Sequence, residues 1–79
     1  MATGTKPKKK KGYDREYHIV PDGDGWIVER GDEVTGLFSY SRQEAITLAL
    51  PSALRDIHNG LDVMVCVQER DGTCRKVWP

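Results

Sequence analysis

Two histidines and two cysteines are the side chains of this 79-residue sequence with the widest chemical reach. A general base needs a nucleophile or an acid within hydrogen-bond reach. His18 lies in Tyr17-His18-Ile19-Val20 and is expected to pair across a hairpin with Glu29. His58 falls in the last turn of an expected helix, where an imidazolium suits the negative end of the helix dipole. Neither has a nucleophile set beside it, so both read as structural. Cys66, inside Val63-Met64-Val65-Cys66-Val67, behaves as a small core hydrophobe. Cys74 precedes Arg75-Lys76, cations that favour a thiolate, but no candidate base accompanies it. No second Cys or His stands at zinc-ligand spacing from either cysteine, so neither a metal nor a cofactor is expected. Asp22-Gly23-Asp24-Gly25 alternates acids on a glycine turn, yet two carboxylates fall short of the roughly six to eight oxygens that calcium takes. It reads as a plain turn, and no glycine-rich phosphate signature stands between a strand and a helix. The expectation is a non-enzyme with no catalytic residues.

Charge is the next feature with a physical action. Twelve Lys and Arg balance twelve Asp and Glu, but Lys6, Lys8, Lys9, Lys10 and Lys11 all lie in the first twelve residues, where there is no acid. A tail near +5 is therefore joined to a body of residues 13–79 near −5. Residues 1–12 have no large apolar side chain to offset the entropy of ordering and are expected to form a disordered arm. Five lysines can displace counterions from a polyanion, which would give sequence-independent, salt-sensitive binding to nucleic acid. A solvated tail that aids solubility explains them equally well. The acidic body offers a third reading, an inhibitor that mimics nucleic-acid charge, provided that Asp22, Asp24, Asp32, Glu33 and Asp62 share one surface.

The remaining residues must position whatever acts. The longest apolar run is Val63–Val67, far short of the ~20 residues of a membrane span, and nothing after the lysine run has the form of a secretory signal. A cytoplasmic, membrane-free protein is expected. Tyr17–Val20 and Trp26–Arg30 read as a hairpin about the Pro21–Gly25 turn cluster, with Ile19 facing Val28 and Val20 facing Ile27. Val34–Tyr40 reads as a third strand. Ser41-Arg42-Gln43-Glu44 has the form of a capping box, and Ala45, Ala49, Ala53 and Ile57 space one apolar helix face as far as Gly60. Pro51 should kink that helix or split it in two. Leu61–Gln68 and Thr73–Trp78 read as a second hairpin about Asp71-Gly72, a register that opposes Cys66 to Val77 and leaves the two cysteines on opposite faces, beyond bridging. The expected fold is α+β, ordered βββαββ: a small, mostly antiparallel sheet with one kinked helix on one face, forming a single domain over residues 13–79.

Tyr17-His18-Ile19-Val20-Pro21, Gly25-Trp26-Ile27-Val28, Glu44-Ala45, Ala49 and Arg70-Asp71-Gly72 stand in an order and spacing that carry a likeness. They resemble a family of short bacterial proteins catalogued only as a domain of unknown function, with the pattern Y-H-V-V-P, G-W-x-V, E-A, A, R-D-G. The resemblance spans most of residues 17–75 and departs between Ala49 and Gly60, where this chain is longer and carries Pro51. It implies the same order of elements and no activity.

One consequence concerns partners. Strands one, two and four are apolar on both faces, while a single helix covers only one. The uncovered face is expected to hold a partner, a second copy of the chain or another protein, built around Met64, Cys66 and Val77 with Val20 and Ile27 of the first two strands. Burial there would add stability that a domain under about 70–80 residues seldom draws from one core.

Overall fold

Elements follow in the order β1 (Arg15–Asp22), β2 (Gly25–Arg30), β3 (Glu33–Ser39), α1 (Arg42–His58), β4 (Val63–Gln68) and β5 (Cys74–Trp78). The computed structural model describes residues 12–79, so the lysine arm, Lys6 and Lys8 to Lys11 included, lies outside the described residues. The first hairpin has the register that its turn dictates, with Ile19 opposite Val28, Val20 opposite Ile27 and Pro21 opposite Trp26. Gly23 adopts φ of 59° in that turn, a left-handed conformation that glycine reaches without a Cβ penalty.

Across the sheet the strands lie β3-β2-β1-β4-β5, an order that differs from their order in the chain. β1, the first strand among the described residues, is central. Three neighbouring pairs are antiparallel, but β4 runs parallel to β1, with Tyr17 beside Val65 and His18 beside Cys66. A parallel pair needs a crossover, usually a helix. Here β2, β3 and α1 make it, and the helix lies across one face of the sheet, touching β1 to β4.

The helix begins where Ser41 accepts the Glu44 backbone N–H, at 3.2 Å. The reciprocal half of the capping box runs through a third residue: the Ser41 N–H donates to Ser39 Oγ, whose hydroxyl donates to Glu44 Oε1 at 2.7 Å. Pro51 is accommodated within one helix of 17 residues, on the exposed side, so the chain does not divide there. The buried stripe is Ala45, Ala49, Ala53 and Asp56, whereas Ile57 is 40% exposed. A strict four-residue spacing drifts about 40° per step on a 3.6-residue helix, so by the third step the sheet-facing position has moved from residue 57 to residue 56. The alanines let the helix approach closely over Tyr17, Ile19, Val28, Val63, Val65 and Val67, which form the core with them.

The second hairpin departs from the expected register. Gln68 opposes Cys74 and Val67 opposes Arg75, a shift of one residue, and an irregularity follows between Val65 and Cys66. A one-residue slip turns alternate side chains to the other face. It brings Cys66 and Cys74 to the same face, Cα atoms 5.6 Å apart, and they are joined in a disulfide. The expectation that they could not be bridged is therefore overturned. The same irregularity sets Val65 opposite Trp78 and Cys66 opposite Lys76, so Val77 is the extra residue and packs against the helix-side core.

Candidate functional site

The sheet face away from the helix is where the expected partner residues are to be sought. Register places Val20 of β1, Ile27 of β2 and Met64 of β4 on it, each half-buried. Cys66 is on it too but only 1% exposed, covered through its disulfide to β5. Val77 is not part of this face, because the β4–β5 irregularity turns it toward the helix. Three further residues extend the apolar surface over the edge strand. Phe38 opposes Ile27 and is 42% exposed, Val34 opposes Glu29 and is 68% exposed, and Tyr40 is 77% exposed just beyond the strand. The Phe38 and Tyr40 rings meet edge to face at 5.0 Å. Gly25 permits this arrangement: a Cβ there would stand 2.5 Å from Phe38 Cζ and from the Ser39 carbonyl oxygen. The even spacing of Val34 and Phe38 within the strand and of Tyr40 one residue past its end was the signal for a shared face.

Beside this strip runs a polar one. His18 sits opposite Glu29 in register, as expected, but its ring bonds along its own strand, Nε2 lying 3.1 Å from Glu16 Oε1. One ring nitrogen of His18 and the sulfurs of Cys66 and Cys74 all lie within 4.8 Å of one another. This grouping escapes a search for ligands at short sequence spacing, because each residue comes from a different strand. Lys76, opposite Cys66, is drawn away toward Tyr13, its Nζ donating to the hydroxyl at 3.2 Å and sitting 5.5 Å from the ring centroid. His58 ends the helix in an exposed position, apart from this group.

Under the helix lies a polar cluster that sequence reasoning missed. The Tyr17 hydroxyl donates to Asp56 Oδ2 at 2.5 Å, and Arg30 donates to Tyr17 Oη at 3.0 Å and to Asp56 Oδ1 at 3.3 Å. Burial would raise the Asp56 pKa, but the hydrogen bonds from Tyr17 and Arg30 and the guanidinium charge outweigh it and hold the carboxyl below its ordinary value. The Tyr17 phenol is raised, by burial first and then by its bond to the carboxylate. The clue in the sequence was an acid in the last helical turn, where the helix dipole disfavours it.

Charged groups elsewhere are dispersed. Arg42 and Arg75 meet at a hollow of about 180 Å³ with Ile46, Val67 and Val77, while Arg75 also pairs with Glu69 at 3.2 Å. Arg55 lies at the far end of the helix. The acids that charge mimicry would group are divided: Asp22 and Asp24 flank the β1–β2 turn, whereas Asp32 and Glu33 occupy the β2–β3 turn at the opposite end of that hairpin. At that second end a broader hollow of about 410 Å³ is lined by Asp14, Glu16, Asp32 and Glu33 together with Arg15, Arg30 and His18. No family model, curated protein or solved structure matches this chain, and the likeness to the short bacterial family rests on its motifs alone.

Proposed function

We propose that this chain is a non-enzymatic protein-binding module that pairs with a second copy of itself through the open face of its sheet. The observation that carries the reading is the apolar strip of Val20, Ile27 and Phe38 on the side the helix does not cover, with Met64 farther along the same face beside Glu16. Water-exposed apolar surface of this kind, rimmed by polar residues, marks interaction sites on small domains. The rim here is Glu16, His18, Glu29 and Lys76. A two-fold contact would set the strip against its own copy, the self-complementary arrangement that symmetric dimers use. It would also supplement a core limited by the size of an 8.9 kDa chain.

Sedimentation equilibrium of the full chain tests the reading. A species of twice the 8.9 kDa chain mass is expected, converted to monomer by Ile27→Asp, which places a carboxylate at the centre of the strip without touching the helix-side core. A monomer at every concentration up to about 1 mM, a range that reaches weak complexes of about −4 kcal/mol, would overturn it. So would a dimer indifferent to Ile27→Asp.

A further inference from the structure

We infer that His18, Cys66 and Cys74 form a thiol-gated site for a zinc-class divalent cation, which binds when the Cys66–Cys74 disulfide is reduced. The donor set is two soft sulfurs and one imidazole nitrogen, the combination that suits zinc and, as its spectroscopic stand-in, cobalt. Its three donor atoms already lie within 4.8 Å of one another. A tetrahedral zinc ion with Zn–S near 2.3 Å and Zn–N near 2.0 Å holds its donors roughly 3.5–3.8 Å apart. Once the sulfur–sulfur bond opens, side-chain rotation can reach that spacing without moving the strands.

The scaffold favours the same conclusion. Cys66 and His18 are direct neighbours on the central parallel pair, and Cys74 is held by the β4–β5 ladder, two positions along from Lys76, the residue opposite Cys66, and so on the same face. Sites carried on strands are placed more precisely than sites on loops. Glu16, 3.1 Å from His18 Nε2, is a carboxylate of the kind that orients a metal-bound imidazole by accepting the N–H of the ring nitrogen that does not bind the metal. Lys76, the cation closest in register, is turned toward Tyr13. Cys74 is exposed, so an ion has a path in and a water can fill the fourth position.

The two states exclude each other. A phosphine reduces the disulfide by taking its oxygen from water: the sulfur–sulfur bond breaks, the phosphine becomes the oxide, and both sulfurs become thiols. Binding of the dication then releases two protons, one from each thiol, and leaves a site of zero net charge. The disulfide ties β5 to β4 only, whereas the metal would also tie both to β1 through His18.

The test is a cobalt titration of the full chain, reduced by a phosphine and freed of it under argon, followed by displacement with zinc. One cobalt per chain is expected, with a sulfur-to-metal charge-transfer band, the visible absorption of a tetrahedral site and release of two protons per ion. The oxidised chain should show no such band. Cys74→Ser should abolish the charge-transfer pattern of two thiolates, and His18→Ala should weaken binding at least tenfold; both positions face away from the core, and far-ultraviolet circular dichroism checks that each variant folds. The inference is overturned if the reduced, folded chain takes up no cobalt, if reduction alone unfolds it, if His18→Ala binds as tightly as the parent, or if two chains share each ion.

Discussion

The Tyr17–Asp56–Arg30 cluster yields a prediction whose size follows from its geometry. Hydrogen bonds to a charged partner contribute about 1.5–3 kcal/mol, and removing one member of a buried set adds the penalty of the groups left unpaired. Replacing Tyr17 with Phe removes the donor at 2.5 Å from Asp56 but leaves Arg30 on the carboxylate, so a loss of about 1.5 kcal/mol is expected. Replacing Asp56 with Ala strips both Tyr17 and Arg30 of their acceptor. Arg30 retains 31% exposure of its side chain and can turn to water, and alanine relieves an acid at the wrong end of the helix dipole by about 0.3–1 kcal/mol. The net loss is then about 2–3 kcal/mol, well below the ~3–5 kcal/mol of a fully buried ion pair. The double variant should lose less than the sum, with a coupling of about 1–1.5 kcal/mol. Urea unfolding at pH 7, followed through the emission of Trp26 and Trp78, both packed at the margin of the core, measures each corner of the cycle. The pH dependence supplies a second readout. The Asp56 pKa is lowered from 3.8, so its stabilisation is complete above that value and is lost as pH falls through the folded-state value. The gap between parent and Asp56→Asn should thus be constant from pH 7 to 5 and close below pH 4. A coupling under about 0.5 kcal/mol, the scatter of independent sites, or a gap unchanged at pH 2.5 would refute the reasoning.

Three further outcomes follow from the close packing at Gly25, the disulfide and the buried phenol. Gly25→Ala should destabilise by about 1–3 kcal/mol, because the new methyl meets Phe38 and the backbone oxygen of Ser39 at 2.5 Å and the latter cannot rotate aside; a melting point equal to the parent's would contradict this packing. Cys74→Ser should lower stability by about 2.5 kcal/mol, from the freed closure entropy of the short Cys66–Cys74 loop, read as an earlier urea midpoint than that of the oxidised parent. On the alkaline side, the raised phenol of Tyr17 gives stabilisation that is complete below pH 10 and lost as pH climbs through the folded-state value. Tyr17→Phe should therefore show a flatter decline above pH 10, and an identical slope in both proteins would argue against the buried phenol.

Legibility in the sequence followed the range of the interactions. The first hairpin was readable down to residue pairs, because Pro21 to Gly25 set the turn and a turn sets its ladder. The helix start was readable from Ser41 and Glu44, although Ser39 completes the cap from the preceding strand. The parallel contact of β1 with β4 had no local signature: it depends on where a crossover of some forty residues lands, and nothing near Tyr17 or Val65 announces it. The second hairpin failed for a subtler reason. Asp71-Gly72 suggested a two-residue turn, but Glu69 N–H bonds the Thr73 carbonyl and Asp71 caps Thr73, which lengthens the loop by one and reverses the faces of β5. That single residue decided whether two thiols could meet and whether Val77 belonged to the open face. Of the surface residues expected to meet a partner, Val20, Ile27 and Met64 lie on the open face because the β1–β2 and β1–β4 ladders are unbroken. Asp56 could not be read as buried, since its partners come from β1 and β2.

The central place of the first strand carries a consequence for how the protein is made. A ribosome delivers β1 early, and β2 can pair with it at once, but its other edge must wait for residues 63–68. Until then the nascent chain presents an unpaired row of backbone donors and acceptors along Arg15–Ile19, the kind of edge to which foreign strands add. The β1 edge thus stays open until β4 has been made, and a chain stopped before residue 63 leaves β1 as an adhesive edge strand of a β3-β2-β1 remnant.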